Sequence, residues 1–207
     1  GNGITLTGLT QVAGIFTSAV YSFGSSGNIT LYGGTFNATS ATMYAQGSLV
    51  NNGGTFTSGT GTVVFNGSGA QTFIPGSSYY NVTIANTSSP VTLGGNLTLV
   101  ANGALVINTN ATLAAGAYTL TVPTALTNSG LITTTGTGAN LVITTPANLG
   151  NVTFTNSATA LPAKIYKILT LEQGGTTAVN FTVNSNFTNG GTFTASAGVI
   201  TFGGTSS

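Results

Sequence analysis

A short phrase, GGTFNAT, begins at Gly33, and a near copy, GGTFTSG, begins at Gly53, so a Gly-Gly-Thr-Phe block returns after twenty residues. A fixed period of about 20 to 50 residues marks a repeat architecture, in which each unit buries its apolar side only by stacking on the next. The fuller pattern is Leu49 to Phe65, LVNNGGTFTSGTGTVVF. An apolar residue leads into a turn on Asn and Gly, then a short strand, Thr55-Phe56-Thr57. A second turn of small residues and a β-branched run, Val63-Val64-Phe65, complete it. The pattern returns as LTNSGLITTTGTGANLVI from Leu126 and as FTNGGTFTASAGVITF from Phe187, while NVTIANTSS at Asn81 returns as NVTFTNSAT at Asn151.

Between these landmarks, short apolar runs are punctuated by Gly, Asn, Ser or Pro, which is the grammar of strands and turns. Thr35-Phe36, Val82-Thr83-Ile84, Leu97-Thr98-Leu99, Leu105-Val106-Ile107, Tyr118 to Val122 and Val152-Thr153-Phe154 all read as strands. Only Ala163 to Glu172, AKIYKILTLE, could form a helical turn or two, and its alternation of Ile165, Lys167, Leu169 and Leu171 suits a strand equally well. The chain is therefore expected to be all-β, a single parallel β-solenoid over residues 1–207 with coils of about 20 residues, which accounts for both the short and the long recurrence. Ten coils at the usual strand spacing of about 4.8 Å would make a rod of roughly 50 Å. Residues 1–25 are open to a second role, as a strand or arm engaging a neighbouring subunit. The competing fold is one or two β-sandwiches with strand exchange, because turn signals every 8 to 12 residues also suit a sandwich. The twenty-residue spacing loses its regularity across Gln71 to Val100.

Charge narrows the function. Only Lys164, Lys167 and Glu172 are charged among 207 residues, and no Asp, Arg, His, Cys or Trp occurs. Little charge repulsion keeps copies apart, and a net charge near zero favours association. Disordered chains are charge-rich and poor in aromatic and β-branched residues, whereas this one is 41% hydrophobic and 9% aromatic. No apolar run approaches the length that spans a bilayer, and Gly1 opens without a basic segment or long apolar core, so the sequence is read as a mature, processed polypeptide. Without Lys and Arg clusters there is nothing to neutralise phosphates, which removes nucleic acid as a partner and a basic membrane-surface patch with it.

The strings NGGTFTSGTGTVVFNGSGAQTF and NVTIANTSSPVTLGGNLTL resemble the repeats of secreted bacterial surface proteins, the adhesin-like and filamentous-haemagglutinin-like chains with parallel β-helix cores. The resemblance runs from Ser26 onward and more weakly before it. It implies an extracellular, structural or adhesive role and carries no catalytic residues. Such adhesins are much longer, which leaves open whether this is a fragment or a self-assembling unit.

Chemistry is mostly absent. General acid–base work draws on His or a carboxylate near its working pKa, and paired-carboxylate glycoside hydrolysis needs two acids. Glu172 is the only carboxylate side chain and there is no His, so neither of these nor a Ser-His-Asp triad can be assembled. No catalytic residue, cofactor site or metal site is expected; only backbone carbonyls, Asn and Glu172 could hold calcium, weakly. GTGTVVF and GSGAQTF have glycines but no phosphate-loop Lys-Ser/Thr pair, and read as turns. A buried Lys beside an Asn could form an isopeptide cross-link with Glu172 shuttling protons, against the plainer reading of a solvated Lys167–Glu172 pair.

The expected function is a structural subunit of an extracellular filament or surface fibre, a homopolymer growing head to tail through exposed β-edges. Ile4 and Leu6 at one end, with Val199, Ile200 and Phe202 at the other, are the candidate interface residues. One alternative is a stalk segment of a larger adhesin; a remoter one is an ice-binding solenoid, weighed against the lack of a strict T-x-T in every coil. Cell-surface or matrix contacts would follow from either surface role. Ten N-x-Ser/Thr sequons, at Asn28, Asn37, Asn66, Asn81, Asn86, Asn96, Asn110, Asn151, Asn180 and Asn186, are candidate glycosylation sites that could supply solubility where charge does not.

Overall fold

The computed structural model describes residues 4–18, 21–144, 148–156, 158, 161–177 and 179–203. It is an all-β solenoid of about nine turns with about 20 residues per coil, and its strand ladders are parallel. The described residues form no sandwich. A 3₁₀ turn at Gly138–Asn140 is the only helical element among the described residues.

Each early coil gives one strand to each of three faces. Ile4–Leu6, Phe23–Ser25, Thr42–Ala45 and Thr62–Phe65 stack on face one. Leu9–Gln11, Ile29–Leu31, Leu49–Asn51 and Gln71–Ile74 stack on face two, and Ile15–Thr17, Thr35–Asn37 and Thr55–Thr57 on face three. Later strands turn the corner between faces: in Leu97–Ile107, Leu97 and Thr98 pair with Leu120 and Thr121, whereas Ala104 to Ile107 pair with Ala125 to Asn128.

The alternation of the sequence becomes the wall of a core. Ile29, Leu49, Phe73 and Leu93 are buried in one inward column, because successive strand side chains face opposite ways and only one side can leave water. On face three the inward column is aromatic. Phe16 and Phe36 stack with centroids 4.8 Å apart, Phe36 and Phe56 at 5.5 Å, and Phe56 and Tyr79 at 4.6 Å. Burial pushes the Tyr79 and Tyr166 phenols up, away from ionisation. Each donates its O–H to a proline carbonyl four residues earlier, Pro75 (3.0 Å) and Pro162 (3.3 Å).

At one corner the coils come too close for side chains. A Cβ on Gly47 would run into the backbone of Gly27, one on Gly27 into the Thr7 carbonyl, and one on Gly67 into the Gln46 carbonyl. Glycine at 27, 47 and 67 is thus a packing requirement of the period.

The irregularity across Gln71 to Val100 is a longer coil rather than a lost one. Leu49 pairs with Phe73, a step of 24, before the step of 20 from Phe73 to Leu93. Gln71, 2% exposed, braces the insertion. Its Nε2 donates to the carbonyls of Ala45 (2.8 Å) and Gly47 (2.7 Å). Its Oε1 accepts from the Gly67 N–H (3.2 Å) and Asn86 Nδ2 (3.0 Å). Later coils tighten, with Val152 to Leu169 and Leu169 to Phe187 spanning 17 and 18 residues.

Two expectations need correction. The long recurrence is not a structural period, since Leu49 lies on face two and Leu126 on face one; the same turn chemistry serves different corners. The stretch Ala163 to Glu172 holds a strand, Ile165–Leu171, but a register slip between Tyr166 and Ile168 changes its parity. The buried residues are Tyr166, Leu169 and Leu171, and Lys167 is exposed.

Candidate functional site

At each end of the stack all the strands of one coil lack an outer partner among the described residues. Inside the stack only single strands, such as Thr55–Thr57, Ala125–Asn128 and Leu141–Ile143, pair on one side. Ile4–Leu6, Leu9–Gln11 and Ile15–Thr17 each pair on one side only. At the opposite end, among the described residues, Phe193–Ala195 pairs only with Gly175–Thr177, Ile200–Phe202 only with Phe181 to Val183, and Asn186 to Asn189 only with Ile168 to Leu171. A free parallel edge presents a row of backbone N–H and C=O groups ready to pair.

Apolar exposure follows the same geography. Among the large apolar side chains of the described residues, Val12 (69%), Ile15 (76%), Val199 (63%) and Phe202 (60%) are the most exposed, and all four belong to the end coils. Ile4 and Leu6 stand over Phe23 and Ser25, both 1% exposed, so they continue inward columns. Ile200 and Phe202 do the same over Phe181 and Val183. Four of the five expected interface residues therefore sit on open core columns, two at each end. Val199 lies just outside its strand, its N–H held by Asn180 Oδ1 at 2.8 Å. Gly1 to Gly3 of the expected GNGITLT arm lie outside the described residues; residues 4–17 form the first coil, stacked on their own chain.

Sequence reading missed half of each end. Leu9 and Phe16 at one, and Phe187 and Phe193 at the other, are half-buried continuations of the core. Phe16 had a signal, because Gly14-Ile15-Phe16 precedes Gly34-Thr35-Phe36 by twenty residues. Phe187 and Phe193 pack edge-on at 5.7 Å, a contact that no spacing rule announces.

The sequon asparagines are largely structural. Oδ1 of Asn28, Asn81, Asn96 and Asn180 each accepts a backbone N–H from the following coil, from Ser48, Ala104, Thr119 and Val199. Asn37 Nδ2 donates to Thr17 Oγ1 and Asn151 Nδ2 to the Gly130 carbonyl. Asn86 is 1% exposed and holds the Gly69 carbonyl and the N–H groups of Ser88 and Ser89. Asn66, Asn110 and Asn186 are exposed. Of the charged groups, Lys164 is half-buried with Nζ donating to the Thr144 carbonyl (3.0 Å), while Lys167 and Glu172 are exposed; no lysine is buried beside an asparagine amide.

One outer column has a composition of its own. On face two, Thr72, Thr92, Ala114, Thr133, Thr153, Thr170 and Thr188 are successive register partners, six threonines in seven coils. The corresponding column on face one is mixed: Thr5, Gly24, Tyr44, Val64, Thr83, Val106, Thr127.

No family model, curated protein or solved structure matches this chain.

Proposed function

We propose that the protein is a structural subunit of an extracellular filament, polymerising head to tail through its two open ends. The observation that carries the reading is the pairing of unsatisfied strand edges with exposed core columns at both ends of one charge-poor rod. Going round the last coil, Asn186 to Asn189, Phe193–Ala195 and Ile200–Phe202 occupy faces two, three and one. The first coil offers Leu9–Gln11, Ile15–Thr17 and Ile4–Leu6 on those same faces. A second copy stacked on the end would give every open strand a parallel partner and close the core from Phe202 and Ile200 onto Leu6 and Ile4. Two different surfaces meet in such a contact, so it does not close on itself and propagates as a fibre. Removing residues 1–7 deletes the first face-one strand and should leave folded monomers by sedimentation velocity. Long fibres persisting in that variant contradict the reading.

The same ends serve a stalk segment within a larger adhesin, where covalently continuous coils cover them. That alternative predicts monodisperse single rods from these 207 residues at any concentration that keeps them soluble. The threonine column favours one further reading, a water-ordering face that adsorbs to ice, since its hydroxyls and methyls repeat at the strand spacing of about 4.8 Å without charge. Thermal hysteresis that vanishes in Thr153→Tyr supports it, and its absence in the parent chain removes it.

A further inference from the structure

On face one, Gly24 interrupts an outer column between Thr5 and Tyr44. At several corners of this fold glycine is forced by close backbone approach, as at Gly47, but not here. A Cβ on Gly24 would meet nothing nearer than the Ile4 carbonyl and Thr5 Oγ1, both at 3.9 Å, and its φ lies outside the positive range that excludes other residues. Glycine weakens a strand interior, and it marks a bulge, a tight bend, or a place where another backbone or a ligand comes close; at Gly24 no other backbone does.

The missing side chain opens a cleft of about 220 Å³, lined by Thr5, Gly24, Ser26, Tyr44, Gln46 and Asn66. Tyr44, 40% exposed, forms one wall. Along the other edge Ser26, Gln46 and Asn66 are stacked at twenty-residue intervals, each strand's N–H bonded to the coil before it. The spacing of about 4.8 Å sets their polar heads at even steps along the rod. The amides of Gln46 and Asn66 are exposed, and no hydrogen bond within the described residues engages either of them, unlike the bracing amides of Gln71 and Asn86. No charged side chain lines the cleft.

We propose that this cleft binds a neutral pyranose unit of a glycan. An aromatic ring offers an apolar face with a polar tip, which suits the C–H face of a sugar ring. The free amides of Gln46 and Asn66, able to donate and accept, meet its hydroxyls. The bare backbone at Gly24 gives the ring its depth. Without a cation or carboxylate, the site offers nothing to a phosphate, sulfate or amine. A sugar-sized ligand in an open cleft binds weakly, with Kd on the order of 1 mM. The proposal does not depend on filament formation.

The test is saturation-transfer NMR on the intact chain with glucose, galactose, mannose and N-acetylglucosamine, followed by titration of any that respond. Saturation transfer to at least one of them is expected. Loss of the ring in Tyr44→Ala should weaken binding about tenfold. Gly24→Leu, which fills the cleft from a position with room for a side chain, should abolish it while the circular dichroism spectrum and melting temperature stay those of the parent. Thr127→Ala, far along the same outer column, should bind as the parent does. Silence from all four sugars overturns the proposal, as does binding that survives Gly24→Leu and Tyr44→Ala unchanged.

Discussion

Replacing Phe36 by Ala tests the stacked-coil reading at its interior, and replacing Phe16 tests it at its end. The Phe36 ring is 1% exposed. It lies between Phe16 at 4.8 Å and 24° and Phe56 at 5.5 Å and 14°, with Phe23 edge-on at 5.7 Å. Truncating such a ring removes its transfer free energy and leaves a cavity that stacked backbones cannot close, a cost of about 3–5 kcal/mol. Phe16 has Phe36 and Phe23 of the next coil on one side and, among the described residues, no coil on the other, so its truncation forfeits about half the burial, about 1.5–2 kcal/mol. Because repeat arrays can open coil by coil, native-state hydrogen exchange is a better assay than a single melt. The Thr35 N–H, bonded to Gly14 O at 2.8 Å, and the Thr55 N–H, bonded to Gly34 O at 2.9 Å, are the reporters. In Phe36→Ala they should exchange faster by about two to three and a half orders of magnitude, at about 1.4 kcal/mol per tenfold. In dilute Phe16→Ala the acceleration should be about tenfold to thirtyfold. Equal effects from the two substitutions, or less than tenfold from Phe36→Ala, would refute the argument.

Three other outcomes follow from named contacts. Gln71→Ala leaves the Gly67 N–H without its buried acceptor and unties the carbonyls of Ala45 and Gly47, so urea midpoints should fall by the equivalent of about 3 kcal/mol; a change within error would show that the long coil needs no brace. Stability should be flat from pH 4 to 9, because a single carboxylate side chain and no histidine leave little to titrate. Above pH 10 it should fall, since the phenols of Tyr79 and Tyr166 stay neutral when folded while their unfolded counterparts ionise near pH 10; a chain that denatures between pH 4 and 9, or whose stability is unchanged above pH 10, contradicts this. If the protein is produced where N-linked sugars are added, peptide mass spectrometry should find occupancy at exposed Asn66, Asn110 or Asn186 and none at Asn86 in folded material. Occupied Asn86 in the folded chain would mean that its corner is not closed as described.

The three-sided stack was legible where sequence and geometry share a period. Gly33 and Gly53, Phe36 and Phe56, and the strands Thr35–Asn37 and Thr55–Thr57 announced coils of twenty residues before any coordinates were needed. Legibility failed where coils change length. The brace at Gln71 draws on Ala45, Gly47, Gly67 and Asn86, a set scattered in sequence and joined only by the corner. Parity failed at Lys167 for a similar reason, since a slip of one position moves every later side chain to the other face. The threonine column was hidden because its members are 17 to 22 residues apart with an alanine among them, so no fixed-period search aligns them. Of the candidate ends, the strands near each terminus were readable, whereas Phe187 and Phe193 became part of a surface only once the last coil was placed.

Electron microscopy of the purified chain addresses the central claim most directly. Coaxial stacking of subunits of about nine turns predicts unbranched filaments one rod wide, with a strand repeat of about 4.8 Å along the axis and an axial rise of about 45 Å per subunit. Separate rods that never join end to end at high concentration, or fibres whose strands run along rather than across the axis, would contradict it.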